Sequence, residues 1–528
     1  MAFEDKVGFS KLDNTEMNVH TDSTNDILGV SYDDGATRWR RKTMCARWVI
    51  AVLTLICTGL IVVLLLTFEL QLNCAAKQSS YNTNLDSSIK FLMVSDLHLD
   101  SYYDASVASK PTFCRGVGNY STANYKAPYG RVGCDSPEIL IDSLVKGMRS
   151  VYDEKGADFM IITGDMSSHK TDASYLPKGK TSERVLHNIK LASAKIHNAF
   201  PKIPVFPMLG NNDFEGHYVL PNTSHDQWYN KTLEVFAPMI LCSNCSTQDT
   251  AATTMAELKT TFLDGGYYKV HIADGRMILL ILNSMYWNPY AVEKSYNVQV
   301  IAKRQLDWLE QQLEFAKKES KKVFIAGHIP PGIDPFGDKG TPFWMENCTA
   351  RYTNMIVGKY SDIVAGQFFA HIHQDDFKLQ MFNTSQHLTG SKTSFALLNP
   401  SVSVVYANNP AFRQVYLDRK ELAILDYDQH FLDIVMATEF NAPNWQLDYR
   451  FSEHYPSANK YINTDRILEL NQNLINQSHE NAWATYVFSR AVRYQASSYS
   501  RFGLYCAMRH VIKSEYDKCR SNYKVPGG

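Results

Sequence analysis

Five short apolar runs, each stopped by a glycine or a polar residue, constrain the fold of this chain more than any other feature. They begin at residues 89, 158, 205, 277 and 323 and read IKFLMVS, DFMIITG, VFPMLG, MILLILNS and VFIAGH. Their length and composition predict buried strands. Amphipathic segments lie between them, including residues 136–153, where we expect Ser136 to be the N-cap, and residues 305–318. Alternating strands and helices predict an α/β layered domain, in which ligands bind beyond the strand ends.

Residue types that bind metals follow four of these five predicted strands, and a further pair lies in the later FFAHIHQDD segment. They are Asp96, His98, Asp165, His169, Asn211, Asn212, His328, His371 and His373. Any one fragment alone is more often a turn or a solvated loop. Five in succession predict one cleft for two divalent cations, because a structural role does not require so many histidines beside aspartates.

The order D-x-H, G-D, G-N, G-H and H-x-H resembles the calcineurin-like dinuclear metallophosphoesterases. It is most similar to their acid sphingomyelinase-like phosphodiesterase and endopolyphosphatase branch, as YGRVGCDSP (129–137), TGDMSSH (163–169), KYSDIVAGQFFAHIHQDDF (359–377) and PSVSVVYANNPAFRQVY (400–416) also indicate. The similarity runs from about residue 89 to about residue 430. It implies an α/β sandwich of two sheets flanked by helices, expected over residues 89–435, with a small helical C-terminal lobe over 436–528.

The resemblance also implies a ligand set for two metals. The first metal would be held by Asp96, His98 and His373, the second by Asn211, His328 and His371, and Asp165 would bridge them with one oxygen for each. Zinc suits this nitrogen and oxygen set, and iron and manganese remain open. The implied reaction is hydrolysis of a phosphodiester or phosphoanhydride bond by a hydroxide shared between the metals.

Asn212 departs from the family pattern, since most members have histidine at this position. Asparagine can donate a hydrogen bond to a phosphate oxygen but cannot deliver a proton, so His169 would be the general acid. A nucleotide or phosphate leaving group needs little protonation, and a lipid alkoxide needs much. Soluble nucleotides are therefore the expected substrates, and inorganic polyphosphate is the alternative because endopolyphosphatases share Gly-Asn-Asn-Asp. Two further hypotheses are that the protein is a sphingomyelin phosphodiesterase or that it is a catalytically inactive surface receptor.

An uncharged run from Val49 to Phe68 is long enough to span a bilayer as a helix. A buried core helix or a cleaved signal peptide is the alternative. Basic residues precede the run, namely Arg38, Arg40, Arg41, Lys42 and Arg47. The positive-inside rule then predicts a disordered cytoplasmic tail over 1–47, a signal anchor over 48–68 and a linker over 69–88. The catalytic domain would be lumenal or extracellular, in a lysosome or vacuole or at the cell surface.

Glycosylation sequons and cysteines support that orientation. All seven sequons follow the apolar run, at Asn119, Asn222, Asn230, Asn244, Asn347, Asn383 and Asn476. Eight of ten cysteines also follow it. Cys114 with Cys134 and Cys506 with Cys519 are plausible local disulfides in an oxidising compartment. Cys242 and Cys245 can pair with each other or form half of a zinc knuckle, and Cys74 and Cys348 have no assigned partner.

Composition limits the class of protein further. The 528 residues are 45% hydrophobic and 20% charged, with a formal net charge of −1. This composition excludes a disordered chain and shows no basic surface for nucleic acid. The expected partners are a phosphate-containing small molecule or polyphosphate, and a membrane through one helix.

Overall fold

The computed structural model describes residues 48–67, 85–108, 110–117, 122–245, 253–292, 296–336, 340–381, 393–476, 480–494 and 500–523. The predicted cytoplasmic tail, Cys74, Asn119 and Asn383 lie outside these residues, as does most of the predicted linker. The chain divides into two units, residues 1–80 and residues 81–528. In the first unit, helix α1 (Trp48–Thr67) is fully exposed and has a mean hydropathy of 3.1, so its length and composition allow it to cross a membrane.

The second unit contains the strands and the remaining helices. The strands are β1 (Ile89–Val94), β2 (Phe159–Ile162), β3 (Val205–Pro207), β4 (Tyr268–Ile272), β5 (Met277–Ile281), β6 (Lys322–Ala326), β7 (Ile333–Asp334), β8 (Thr341–Pro342), β9 (Val364–Phe369), β10 (Asp376–Met381), β11 (Thr393–Leu398), β12 (Ala411–Leu417), β13 (Ile424–Leu432) and β14 (Trp445–Arg450). The helices are α2 (Glu138–Lys155), α3 (Thr181–Ala199), α4 (Gln227–Leu241), α5 (Met255–Gly265), α6 (Pro289–Val292), α7 (Tyr296–Lys318), α8 (Glu346–Thr353), α9 (Ile434–Phe440), α10 (Phe451–His454), α11 (Thr464–Asn473), α12 (Glu480–Arg490), α13 (Arg501–Arg509) and α14 (Lys513–Ser521). Short 3₁₀ turns occur at Lys110–Thr112 and Ser284–Trp287, and a π turn occurs at Asn354–Lys359.

Two six-stranded sheets form a layered sandwich with helices, as the sequence predicts. The first sheet has the order β14-β13-β12-β1-β2-β3, and the second has the order β10-β11-β9-β6-β5-β4. Strands β1, β2 and β3 are mutually parallel, and so are β5, β6, β9 and β11. Every residue of β2 and β5 is buried, as expected for parallel strands that are covered on both faces.

The start of helix α2 differs from the prediction. Ser136 was expected as its N-cap, but Pro137 occupies that position and makes no side-chain cap. Ser136 instead takes part in a backbone bridge, because its amide donates to the carbonyl of His98 and its carbonyl accepts from Asp100. That pairing holds Ser136 in extended backbone, so the helix begins at Glu138.

The C-terminal boundary also differs from the expected lobe. Residues 436–528 were expected to be helical, but β14 lies within them and pairs antiparallel with β13 at the edge of the first sheet. The helices that follow contact the second sheet, where α11 and α13 lie against β10. The C-terminal segment therefore contributes to both sheets of the domain.

Candidate metal centre

The candidate ligands follow parallel strands, so the topology brings them to one edge of the sandwich. Asp96 and His98 come two and four residues after β1, and Asp165 comes three residues after β2. In the second sheet, His328 follows β6, and the His-x-His pair follows β9. The carboxyl ends of parallel neighbours meet at the same edge of a sheet, which is why residues distant in sequence become neighbours here.

The backbone at this edge is held in a conformation that side chains rarely adopt. Five non-glycine residues of the candidate site have a positive φ, with values of 48° at Asp96, 40° at His98, 53° at Asp165, 73° at His371 and 61° at His373. Such conformations cost on the order of 1–3 kcal/mol each and cluster at functional sites, where surrounding structure holds them in place. The strain is evidence that the positions of these side chains matter more than local stability.

Asp213 holds two of the ligand loops together. Its Oδ1 accepts the backbone N–H groups of Met166 and Ser167 at 2.9 and 3.0 Å, and its Oδ2 accepts that of Gly210 at 2.9 Å. The two loops approach each other so closely that residue 210 must be glycine, because a Cβ there would collide with the carboxylate of Asp165. The acidic residue of the Gly-Asn-Asn-Asp motif is therefore a structural tie between the loops after β2 and β3.

The first group of ligand atoms consists of Asp96, His98 and His373. Nε2 of His98 lies 3.0 Å from Nε2 of His373, which lies 3.5 Å from Oδ1 of Asp96. A tetrahedral zinc ion with bonds of about 2.0–2.1 Å to nitrogen separates its ligands by about 3.3 Å. The third distance, from Nε2 of His98 to Oδ1 of Asp96, is 3.8 Å, so the three atoms are close enough together to bind one cation.

The second group consists of Asp165, His328, Asn211 and His371. Nε2 of His328 lies 3.0 Å from Oδ1 of Asn211 and 3.3 Å from Oδ2 of Asp165. His371 completes a cluster with Asp165 and His328 in which the ligand atoms lie within 4.8 Å of one another. The structure thus brings together the residues that the sequence predicted for the second metal.

Asp165 lies between the two groups, but not with one oxygen for each as the resemblance implied. The same atom, Oδ2, is 3.5 Å from Nε2 of His98 and 3.3 Å from Nε2 of His328. Its other oxygen, Oδ1, accepts the backbone N–H of Asn212 at 2.8 Å. A single oxygen of Asp165 therefore faces both groups.

Backbone carbonyls orient the two histidines nearest Asp165. Nδ1 of His98 lies 3.0 Å from the carbonyl oxygen of Ser167, and Nδ1 of His328 lies 2.8 Å from that of Thr163. A carbonyl accepts only, so each ring donates its Nδ1–H and turns its Nε2 toward the candidate site. A hydrogen bond from the ring nitrogen that does not bind the metal is typical of metal-binding histidines.

The electrostatics of the cluster suit cations. Burial lowers the pKa of His98 and of His328, but the carboxylates of Asp96 and Asp165 outweigh it and raise both to about 9. Burial and the charge of His328 lower the pKa of His371 to about 3. Within the described residues, Oδ1 of Asp96 and Nδ1 of His373 are buried without a hydrogen-bond partner. A buried carboxylate oxygen without a hydrogen-bond partner, facing imidazole nitrogens, fits a site for a divalent cation.

His169 lies beside the first group and is held by a carboxylate. Its Nδ1 is 2.9 Å from Oδ1 of Asp135, and its ring stacks on His98 with centroids 4.0 Å apart. Its side chain is partly exposed and lines the cleft above the two groups. His169 can therefore reach a bound substrate while its other nitrogen stays hydrogen-bonded.

Asn212 has a different partner from the one expected. Its side-chain amide donates to Oδ2 of Asp165 at 2.8 Å, and its backbone amide donates to Oδ1. The prediction placed this amide against a substrate phosphate, whereas the structure uses it to hold the carboxylate that lies between the two groups.

A cleft of about 470 Å³ opens over the site. Four aromatic side chains contribute to its wall, namely Tyr218, Phe336, Phe343 and Tyr406. Among the described residues that line it, Arg490 is the one arginine or lysine. The cleft is thus more aromatic than cationic.

The calcineurin-like phosphoesterase family model matches residues 89–375, more than half of the chain. The chain belongs to this family. Human acid sphingomyelinase-like phosphodiesterase 3b is 30% identical over 447 residues, which cover 81% of this chain and 90% of the relative. Human cyclic GMP-AMP phosphodiesterase SMPDL3A is 28% identical over 384 residues, covering 69% and 75%. Sphingomyelinase phosphodiesterase D of Dictyostelium discoideum is 26% identical over 408 residues, covering 74% and 85%. These relatives support the acid sphingomyelinase-like branch.

Several residues of this phosphoesterase's site were not singled out from the sequence, among them Asp135, Tyr406, His217 and Arg490. Asp135 and Tyr406 lie in YGRVGCDSP and PSVSVVYANNPAFRQVY, two segments that carried the family resemblance, so a signal existed for them. His217 and Arg490 had no such signal. Arg490 lies on α12, outside the segment that matches the family model.

The predicted disulfides and sequons of the phosphoesterase domain can also be placed. Disulfides join Cys114 to Cys134, Cys506 to Cys519 and Cys242 to Cys245. The bond between Cys242 and Cys245 favours a disulfide over the alternative of a zinc knuckle. Cys348 is buried and has no disulfide partner among the described residues. The sequon asparagines in the described residues are all exposed, namely Asn222, Asn230, Asn244, Asn347 and Asn476. Exposure is what attachment of a glycan requires.

Proposed function

We propose that this protein hydrolyses phosphodiester or phosphoanhydride bonds in soluble nucleotides with the help of two divalent cations, zinc being the first candidate. The observation that carries the proposal is the position of Asp165, whose Oδ2 lies within 3.5 Å of Nε2 of both His98 and His328 on the floor of an open cleft. One oxygen between two groups of ligands is the arrangement expected for a two-metal site.

The proposed ligands of the first cation are Asp96, His98 and His373, and those of the second are Asn211, His328 and His371, with Asp165 common to both. Two such cations, when bound, would neutralise charge on the phosphoryl group and would lower the pKa of a water molecule. The chain itself supplies the orientation of the ligands, through the carbonyls of Thr163 and Ser167.

His169 is the proposed proton donor to the leaving group. Asp135 accepts from Nδ1, so Nε2 is the atom that can deliver a proton. Asp135 stays ionised for this purpose. Burial alone would raise its pKa, but the neighbouring positive charges, first that of His169, hold it below the ordinary value.

The wall of the cleft supports a nucleotide as the substrate. Tyr218, Phe336, Phe343 and Tyr406 offer aromatic surface on which a base can stack, an interaction worth about 1–3 kcal/mol per base. SMPDL3A, one of the relatives, is named for hydrolysis of a cyclic dinucleotide.

Inorganic polyphosphate is the second candidate because Asn212 provides no proton, which suits a leaving group that departs as a stable anion. A single described cation in the cleft, Arg490, argues against a long polyanion.

A substrate panel with the purified full-length protein tests the proposal. It comprises cyclic GMP-AMP, ATP, bis-p-nitrophenyl phosphate, sphingomyelin and long-chain polyphosphate, each at pH 5 and pH 7 with added zinc. We expect the nucleotides to have the highest kcat/KM and the Asp165→Asn variant to lose hydrolysis of all of them. Preference for polyphosphate would favour the second candidate, and no hydrolysis by a metal-loaded protein would support the inactive receptor.

The orientation in the membrane is a separate part of the proposal. Helix α1 would be a signal anchor with the basic cluster at Arg38–Arg47 in the cytoplasm and the phosphoesterase domain in the lumen or outside the cell. Protease applied to sealed cells should spare residues 1–37, and glycosidase should lower the apparent mass. Digestion of the tail from outside, or an unglycosylated protein, would reverse this orientation.

A further inference from the structure

The loop after β3 turns back so that His217 lies beside Asn211. The carbonyl of Asn211 accepts the backbone N–H of Tyr218 at 3.3 Å, which closes the loop. Nδ2 of Asn211 is then 3.1 Å from Nε2 of His217, while Oδ1 of Asn211 is 3.0 Å from Nε2 of His328. The two ends of one amide therefore face two different histidines.

The donor and acceptor roles in this contact follow from the chemistry of the amide. The amide nitrogen of Asn211 can only donate, so Nε2 of His217 must accept and the proton of His217 is on Nδ1. An amide rotated by half a turn would place its NH₂ group against His328. That group has no lone pair to offer a cation, whereas the carbonyl oxygen has two.

We propose that His217 is a positioning residue, which selects the orientation of Asn211 in which Oδ1 faces the second metal group. The inference rests on the proposed function, because it assumes that a cation binds between Asn211, His328 and Asp165. Partners of metal ligands typically change metal affinity or activity by about 10–100-fold when they are replaced. His217 also contacts Tyr218, with ring centroids 4.4 Å apart, so the substitution that removes the acceptor should keep an aromatic ring.

The first test compares two substitutions in the full-length protein. His217→Phe keeps a ring beside Tyr218 and removes the acceptor, and we expect it to weaken binding of the second zinc ion by about 10–100-fold in chelator competition. His217→Gln offers a carbonyl acceptor and should restore much of the affinity. The melting temperature of the metal-free protein should change little in either variant. His271→Phe, on the edge strand β4, is the matched control and should leave zinc affinity unchanged.

A second substitution separates orientation from packing. In an Asn211→Asp background the side chain presents an oxygen whichever way it turns, so His217→Phe should cost far less zinc affinity there than in the wild type. Equal losses in both backgrounds would mean that His217 acts through packing and would overturn the inference. If the wild type binds two zinc ions and His217→Phe binds them equally tightly, this inference would be overturned and the proposed function would stand. A wild type that binds fewer than two cations would overturn the proposed function as well.

Discussion

Asp135 accepts two hydrogen bonds from the same histidine. Its Oδ1 lies 2.9 Å from Nδ1 of His169, and its Oδ2 accepts the backbone N–H of His169 at 2.7 Å. The carboxylate thereby fixes both the ring and the backbone of the residue that we propose as the proton donor. The effect of replacing His169 on activity should therefore depend on the leaving group of the substrate.

The loss of activity in His169→Ala should depend on how much the leaving group needs a proton. General-acid help is worth about 10²–10⁴-fold, so kcat/KM on an alkyl phosphodiester should fall by that amount. On a phosphoanhydride the loss should be much smaller, because the departing phosphate is a stable anion. Asp135→Asn should show the same selectivity with smaller losses. Equal losses on both substrates would mean that His169 is not the donor.

Removing the charge of Asp165 should remove metal as well as activity. Asp165→Asn keeps the size of the side chain but places an NH₂ group where one oxygen now stands between His98 and His328. We expect elemental analysis to find fewer than two zinc ions per chain, and hydrolysis to be abolished. A variant that kept two zinc ions and most of its activity would refute the two-metal assignment. Asp334→Asn, on the cleft wall, is the matched control and should keep its metal.

Helix α12 should stabilise the loop that carries the His-x-His pair. Nε of Arg490 donates to Asp376 at 3.1 Å, its backbone carbonyl accepts from the amide of Asp375, and the hydroxyl of Tyr486 donates to Asp376 at 2.6 Å. Breaking a buried ion pair costs about 3–5 kcal/mol, so Arg490→Gln should lower the melting temperature clearly. Tyr486→Phe should lower it less.

The control for this prediction is an exposed ion pair. Lys303 pairs with Asp307 on the surface of α7, and such pairs contribute about 0–1 kcal/mol. Lys303→Gln should therefore leave the melting temperature almost unchanged. If Arg490→Gln behaved in the same way, α12 would not be holding the loop.

Lys378 should make stability depend on pH in the alkaline range. Its Nζ is buried and donates to the carbonyls of Ile333 and Ala507 at 2.9 and 3.0 Å, and burial lowers its pKa to about 8. An unfolded lysine has a pKa of about 10.4, so between these values the unfolded chain binds more protons and the folded state gains stability as pH rises. A neutral amine still has two N–H groups for the two carbonyls.

The measurement is the melting temperature of the wild type minus that of Lys378→Met. This difference should be constant below about pH 7 and should increase in favour of the wild type from about pH 8 to pH 10. Lys303→Met, at an exposed position, should show no such trend. A difference for Lys378→Met that does not change with pH would contradict the prediction.

Much of the fold and of the candidate site was predictable because the signals are local. Buried parallel strands such as β2 and β5 are short apolar runs, and the polar residues that follow them are recognisable as strand ends. The later strands were harder to predict. In β12 and β13, polar residues such as Arg413 and Asp428 are fully buried, so their sequences do not look like core strands. Strand β14 was missed because its residues are mostly at least partly exposed.

The sequence by itself determined which chemical groups stand at the strand ends, because residue type and the distance from a strand are properties of a few consecutive residues. Only the tertiary structure decided how those groups are used. It turned Oδ2 of Asp165 toward both histidines, gave the amide of Asn212 to that carboxylate, and placed His217 against Asn211. It also brought Arg490 of α12 to the cleft, more than a hundred residues from the loop that it contacts. These relationships depend on the closure of loops and the packing of distant elements, which no local pattern of residues encodes.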